Sequence, residues 1–108
     1  MFARDPRRSD ERDFEMKRRL LQSTAFVRAA KRMVKKNPDA AESIREMLNS
    51  LREDAYQPSL KTHKLKGELA GSWACKAGYD LRIVFEFVEH DGEEAILLQS
   101  IGTHDEVY

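Results

Sequence analysis

A chain of 108 residues is one domain's worth, long enough to bury a modest core without disulfide or metal staples and too short for two independent cores. With 41% hydrophobic and 35% charged residues, a lone cysteine (Cys75), no Cys/His cluster at ligand spacing and no apolar run near the roughly 20 residues of a membrane span, the composition excludes general disorder, an intrachain disulfide, the common zinc sites and membrane insertion. The net charge of zero hides a sorting, because residues 1–36 hold 12 Lys/Arg against 5 Asp/Glu, a balance of +7 that the rest of the chain cancels, and a basic third of this kind suits a phosphate backbone or an acidic partner as well as ordinary solvated helix faces.

Met1 to Glu15 is polar and charge-mixed, with Pro6 and little to bury, so residues 1–15 are expected to form a flexible extension and residues 16–108 the folded domain. Lys17 to Gln22 suits a first strand. Ser23 or Thr24 then caps a helix whose apolar positions, Phe26, Ala29, Ala30, Met33 and Val34, follow the spacing of a buried stripe. Asn37-Pro38-Asp39 breaks that helix and starts another, in which Ala40, Ile44, Met47, Leu48 and Leu51 repeat the spacing. The two helices are expected to form a hairpin that needs a sheet to cover its apolar face.

The segment Leu60-Lys61-Thr62-His63-Lys64-Leu65-Lys66-Gly67 holds three lysines, a histidine and no acid. Beyond it, Ser72 to Ala77, Asp80 to Val88 and Ala95 to Ile101 read as three strands bounded by glycines, with Asp91-Gly92 suited to a tight hairpin turn. The expected order is β-α-α-β-β-β: an α+β domain with the helical hairpin on one face of an antiparallel sheet and the other face open for work.

This order, the segment His63-Lys64-Leu65-Lys66-Gly67, the strand Tyr79-Asp80-Leu81-Arg82-Ile83 and the ending Gly102-Thr103-His104-Asp105-Glu106-Val107-Tyr108 together resemble the RelE/ParE toxin superfamily, and its YafQ-like branch in particular. The resemblance runs from about Met16 to the C-terminus. It implies a toxin of a type II toxin–antitoxin system that cuts ribosome-bound mRNA without a metal or other cofactor and has a cognate antitoxin as its partner; the lone Cys75 suits the reducing cytoplasm. It also implies functional positions at His63, Asp80, His104 and Tyr108, with Arg82 matching the phosphate-contacting arginine of RelE-like toxins. The chain departs from close YafQ-like sequences at Lys76, where a histidine is usual, at Leu81, where an aromatic residue is usual, and at Ser100, where a basic one is usual.

The chemistry asks for a base at the 2′-hydroxyl, positive charge at the phosphate and an acid at the leaving oxygen. Histidine titrates near neutrality, so His63 and His104 suit the proton transfers; each also reads as an ordinary polar loop or capping residue. Strand alternation turns Arg82 away from the face bearing Leu81, Ile83, Phe85 and Phe87, where its fork suits either a phosphate or a cross-strand acid such as Glu86. Asp80 suits a histidine-orienting role or a turn, and Tyr108 suits base stacking or packing at the sheet edge. Lys61, Lys64, Lys66 and Lys76 supply a field for RNA. Two further readings remain: a ParE-like inhibitor of DNA gyrase, which needs no histidine pair, and a catalytically inactive antitoxin-binding module.

Overall fold

The computed structural model describes residues 17–77 and 80–107, so the expected extension over residues 1–15 and the expected role of Tyr108 lie outside the described residues. Strand β1 (Arg19–Gln22) leads into helix α1 (Thr24–Lys36) and helix α2 (Ala40–Glu53), followed by strands β2 (His63–Lys64), β3 (Trp73–Ala77), β4 (Leu81–His90) and β5 (Glu93–Gly102) and a short helix α3 (His104–Val107). Single 3₁₀ turns at Pro58–Leu60 and Gly67–Leu69 flank β2.

The local reasons follow from the side chains. The Ser23 hydroxyl accepts the backbone N–H of Phe26 at 3.0 Å, satisfying one of the free donors at the start of α1, and Lys35 and Lys36 complement the negative end of its dipole. Phe26 from α1 and Ile44, Met47 and Leu51 from α2 are buried against Cys75, Ile83, Phe85, Ile96 and Leu98 of the sheet. Ala29, Ala30, Met33, Val34 and Leu48 extend the same apolar faces, partly buried. At the tip of the β4–β5 hairpin, Asp91 and Gly92 both take positive φ, 54° and 81°, and His90 pairs with Glu93 across them. That is the type I′ geometry whose twist matches the strands it joins.

The five strands lie in the order β1-β5-β4-β3-β2. The expected α+β layering is present, with two corrections to the expected sheet. First, β1 is parallel to β5, pairing Arg19 with Ala95 through Gln22 with Leu98, so the sheet is mixed at this edge. A parallel pair needs a long crossover, and everything between β1 and β5 supplies one. Second, His63 and Lys64 form a two-residue edge strand against β3, where the sequence suggested only a loop. The residue-by-residue alternation of β5 is interrupted opposite Val84/Phe85: Val84 faces Ser100 and Phe85 faces Leu98, leaving Gln99 as the extra residue of a bulge. Both Gln99 and Ser100 are thereby kept off the core face.

Candidate active site on the open face of the sheet

Residues directly opposite one another in a sheet share a face, so the strand register decides which side chains meet. The helix-covered face holds Trp73, Cys75, Ile83, Phe85, Ile96, Leu98 and Ile101. On the other face one row runs Lys76, Arg82, Gly102, and the adjoining row runs His63, Ala74, Val84, Ser100. His63 and Arg82 are therefore two strands and one row apart, roughly 12 Å between Cα atoms from standard sheet spacing.

Lys76 and Arg82 are direct cross-strand neighbours of like charge, an arrangement that is unfavourable unless an anion sits between or above them. Arg82 is also largely enclosed, its side chain only 14% exposed, and its Nη1 is buried without a hydrogen-bond partner among the described residues. Asp80 Oδ1 is 4.0 Å from that nitrogen, near enough for charge attraction and too far for a hydrogen bond. The guanidinium is thus a donor held in place with capacity left over for a ligand.

The same Asp80 oxygen accepts the backbone N–H of His104 at 3.3 Å. His104 is exposed at the first position of α3, and the turn around it is tied at several points. Glu106 Oε1 accepts the backbone N–H of Thr103 at 2.8 Å, while the N–H groups of Glu106 and Val107 donate to the Thr103 carbonyl at 3.0 and 3.1 Å. Gly102 is required immediately before this turn, since a Cβ there would lie 2.8 Å from Glu106 Oε1 and 2.9 Å from Glu106 Cβ.

The remaining residues singled out from the sequence divide by face. His63 lies on the open face, exposed, with Nδ1 2.9 Å from the carbonyl of Lys61. Lys64 is on the opposite face, its ammonium 5.6 Å from the centre of the Trp73 ring, so the register separates it from Arg82 and Lys76. Lys61 and Lys66 are exposed on either side of β2. Leu81 packs against the core and does not face the site, whereas Ser100 stands in the His63 row. Sequence reasoning missed a polar ladder on this face: the hydroxyl of Ser72 donates to Gln99 Oε1 at 2.9 Å, and Gln99 Nε2 reaches Glu86 Oε2 at 3.4 Å. The consecutive polar pair Gln99-Ser100, interrupting the apolar residues Ala95 to Leu98 and Ile101 of the strand, was the available signal for it. The Thr103-x-x-Glu106 spacing likewise signalled a helix start.

Two concavities adjoin these surfaces. A pocket of about 710 Å³ opens beside Asp80 and Thr103, floored by Ala29, Met33, Leu81 and Ile101. A larger groove of about 1440 Å³ lies on the helical side, far from the charged row; Leu20, Val34, Ile44 and Leu48 line it beneath Lys31, Lys35, Arg45 and Arg52. The side chains whose chemistry suits proton transfer or phosphate binding, His63, Lys76, Arg82 and His104, lie outside the larger groove. Among the described residues no group of three His, Cys, Asp or Glu is placed to hold a metal ion, and no helix is long and apolar enough to cross a membrane.

Residues 2–108 match the family model described as bacterial toxin of type II toxin–antitoxin system, YafQ. The chain resembles YafQ in the Escherichia coli DinJ–YafQ toxin–antitoxin complex, with 16% identity and a TM-score of 0.65, covering 85% of this chain and 98% of that one. It resembles a YoeB/ParE toxin from Agrobacterium tumefaciens at 16% identity and a TM-score of 0.65, over 80% of this chain and 98% of that one. A metal-bound toxin from Helicobacter pylori is similar at 27% identity and a TM-score of 0.62, over 83% of this chain and 98% of that one. No curated protein matches the sequence.

Proposed function

Because the chain belongs to the YafQ family of bacterial type II toxin–antitoxin toxins, we propose that it is an endoribonuclease that cuts mRNA on the ribosome in the cytoplasm and so inhibits translation. The observation that carries this reading is the Lys76–Arg82 pair with its unused, enclosed guanidinium donor: two adjacent cations on a sheet face call for an anion, and a phosphodiester meets both charge and hydrogen-bond demand. RNA supplies its own nucleophile. The ribose 2′-oxygen attacks the adjacent phosphorus, the bond from phosphorus to the 5′-oxygen breaks, and a 2′,3′-cyclic phosphate is left. One proton must leave the 2′-hydroxyl and one must reach the departing 5′-oxygen.

His63, on the open face, and His104, whose backbone N–H is held by the Asp80 carboxylate beside Arg82, take these two transfers, while Arg82 and Lys76 hold the charge that accumulates on the phosphate oxygens. Asp80 fixes the backbone at His104 and steadies Arg82. Lys61 and Lys66 add to the field that the RNA backbone meets, and the side chains supply base, acid and charge without a cofactor. A cognate antitoxin is the second partner, as DinJ is for YafQ in the complex named above; the helical groove, apolar below and cationic at its rim, suits an acidic amphipathic segment of it.

Primer extension of mRNA on programmed ribosomes tests the reading. The wild-type protein is expected to produce discrete breaks, and His104→Ala to slow them by about 100- to 10,000-fold, the usual contribution of a positioned acid or base. DNA damage without mRNA breaks would mark a gyrase inhibitor, and neither effect would mark an inactive antitoxin-binding module.

A further inference from the structure

We infer that Glu106 is a positioning residue for His104, an assignment that rests on the nuclease reading above. A helix of four residues has no stability of its own, because nucleating the first turn fixes several backbone angles for a single hydrogen bond. What holds α3 is a set of bonds to its flanks. Glu106 is the third residue after Thr103, the spacing at which an acidic side chain reaches back to the N–H of a capping residue, and its Oε1 does so at 2.8 Å. Thr103 is thereby fixed on both sides of its Cα, its N–H by the Glu106 side chain and its carbonyl by the N–H groups of Glu106 and Val107.

His104 is the next residue, and its own N–H is held by Asp80. The backbone is thus tied on both sides of the imidazole-bearing Cα, once from within α3 and once from the start of β4. Gly102 completes the device: the Glu106 side chain lies so close over its Cα that any Cβ would meet Oε1 at 2.8 Å. The carboxylate acts as a hydrogen-bond acceptor in this arrangement, so a carboxamide in its place keeps the function. That property separates positioning from proton transfer, which a carboxamide cannot perform.

The test uses full-length Glu106→Ala and Glu106→Gln in the ribosome-programmed cleavage assay, with amide hydrogen exchange measured on the same proteins. Glu106→Ala is expected to lower kcat by about 100-fold, the order of loss that follows a displacement of roughly 1 Å at a reacting group, with KM within about twofold. Glu106→Gln is expected to restore most of the rate and to keep both limbs of the pH profile. In exchange, the Thr103 amide should lose protection in the alanine variant and keep it in the glutamine variant. Wild-type cleavage by Glu106→Ala overturns the assignment, as does a glutamine variant no better than alanine, which would make the charge itself the requirement. A wild-type protein that cuts no mRNA defeats the nuclease reading instead, and exchange at Thr103 then still decides whether Glu106 closes the turn.

Discussion

Arg82 Nη1 and Asp80 Oδ1 face each other at 4.0 Å, an ion pair held just beyond hydrogen-bond range, so the arginine is aimed by the aspartate without being consumed by it. Removing the arginine therefore removes an unsatisfied donor along with the charge proposed to meet the phosphate. Arg82→Ala is expected to cut the cleavage rate by about 100- to 1,000-fold while leaving the thermal midpoint equal or slightly higher. Arg82→Lys should recover only part of the rate, because a lysine offers one point charge where the guanidinium offers a fork. Single-turnover cleavage and thermal unfolding on the same preparations check both halves; a variant that loses activity only because it unfolds would contradict the assignment.

The register puts Lys64 beside Trp73 and away from the Lys76–Arg82 row. Lys64→Ala is accordingly expected to change cleavage by no more than about two- to threefold, the scale of one exposed charge. His63→Ala, one residue earlier and on the opposite face, should be far more severe. Parallel rate measurements on the two variants make the comparison, and equal losses would mean that the edge strand is paired in another register.

How much of this was legible beforehand depended on the length of the signal. The stripe of α1, from Phe26 to Val34, and its repeat in α2 carry many matching positions, and both helices lie where the spacing predicts. Alternation around Arg82 also placed it on the face away from Leu81 and Ile83, since large apolar residues recur at every second position through Leu81, Ile83, Phe85 and Phe87. His63-Lys64 is too short to show any period, so its strand pairing, and with it the separation of His63 from Lys64, was invisible. The parallel edge was hidden for another reason: nothing local in Arg19-Leu20-Leu21-Gln22 states the direction of its neighbour. The Thr103-x-x-Glu106 spacing was readable as a capping box, but four residues following a strand look like a tail unless that box is sought. That the Asp80 carboxylate meets the backbone of His104 and not only its neighbour Arg82 depends on tertiary placement, which no local pattern encodes.

Burial pushes the Cys75 thiol up from 9.0 to about 12, opposed in part by a backbone hydrogen bond from Ile83. The native thiol stays neutral where the unfolded one ionises, so the folded state binds more protons between these values. Stability from this group is fully present below pH 9 and is lost as pH rises toward about 12. The thiol should also resist alkylation in the native protein and react at once in denaturant, which a colorimetric thiol assay measures directly. Rapid native labelling at pH 8 would show that the core around Cys75 opens.

Residues 1–15 carry few apolar side chains in their sequence. Their deletion is expected to shift the thermal midpoint by less than about 4 °C, the change that corresponds to under 1 kcal/mol in a domain of this size. Calorimetry of the shortened chain is the measurement, and a larger drop would move the domain's start toward the N-terminus.

The parallel edge has a bearing on the life of the chain before it is complete. Arg18 and Glu94, 76 positions apart, are joined by a 2.7 Å hydrogen bond, and β1 has no partner until β5 has been made. Contacts of such wide sequence separation form late, since the intervening chain must first be brought together. A chain in which β5 has yet to be made therefore holds β1 without a partner, in a sheet whose parallel seam is still open.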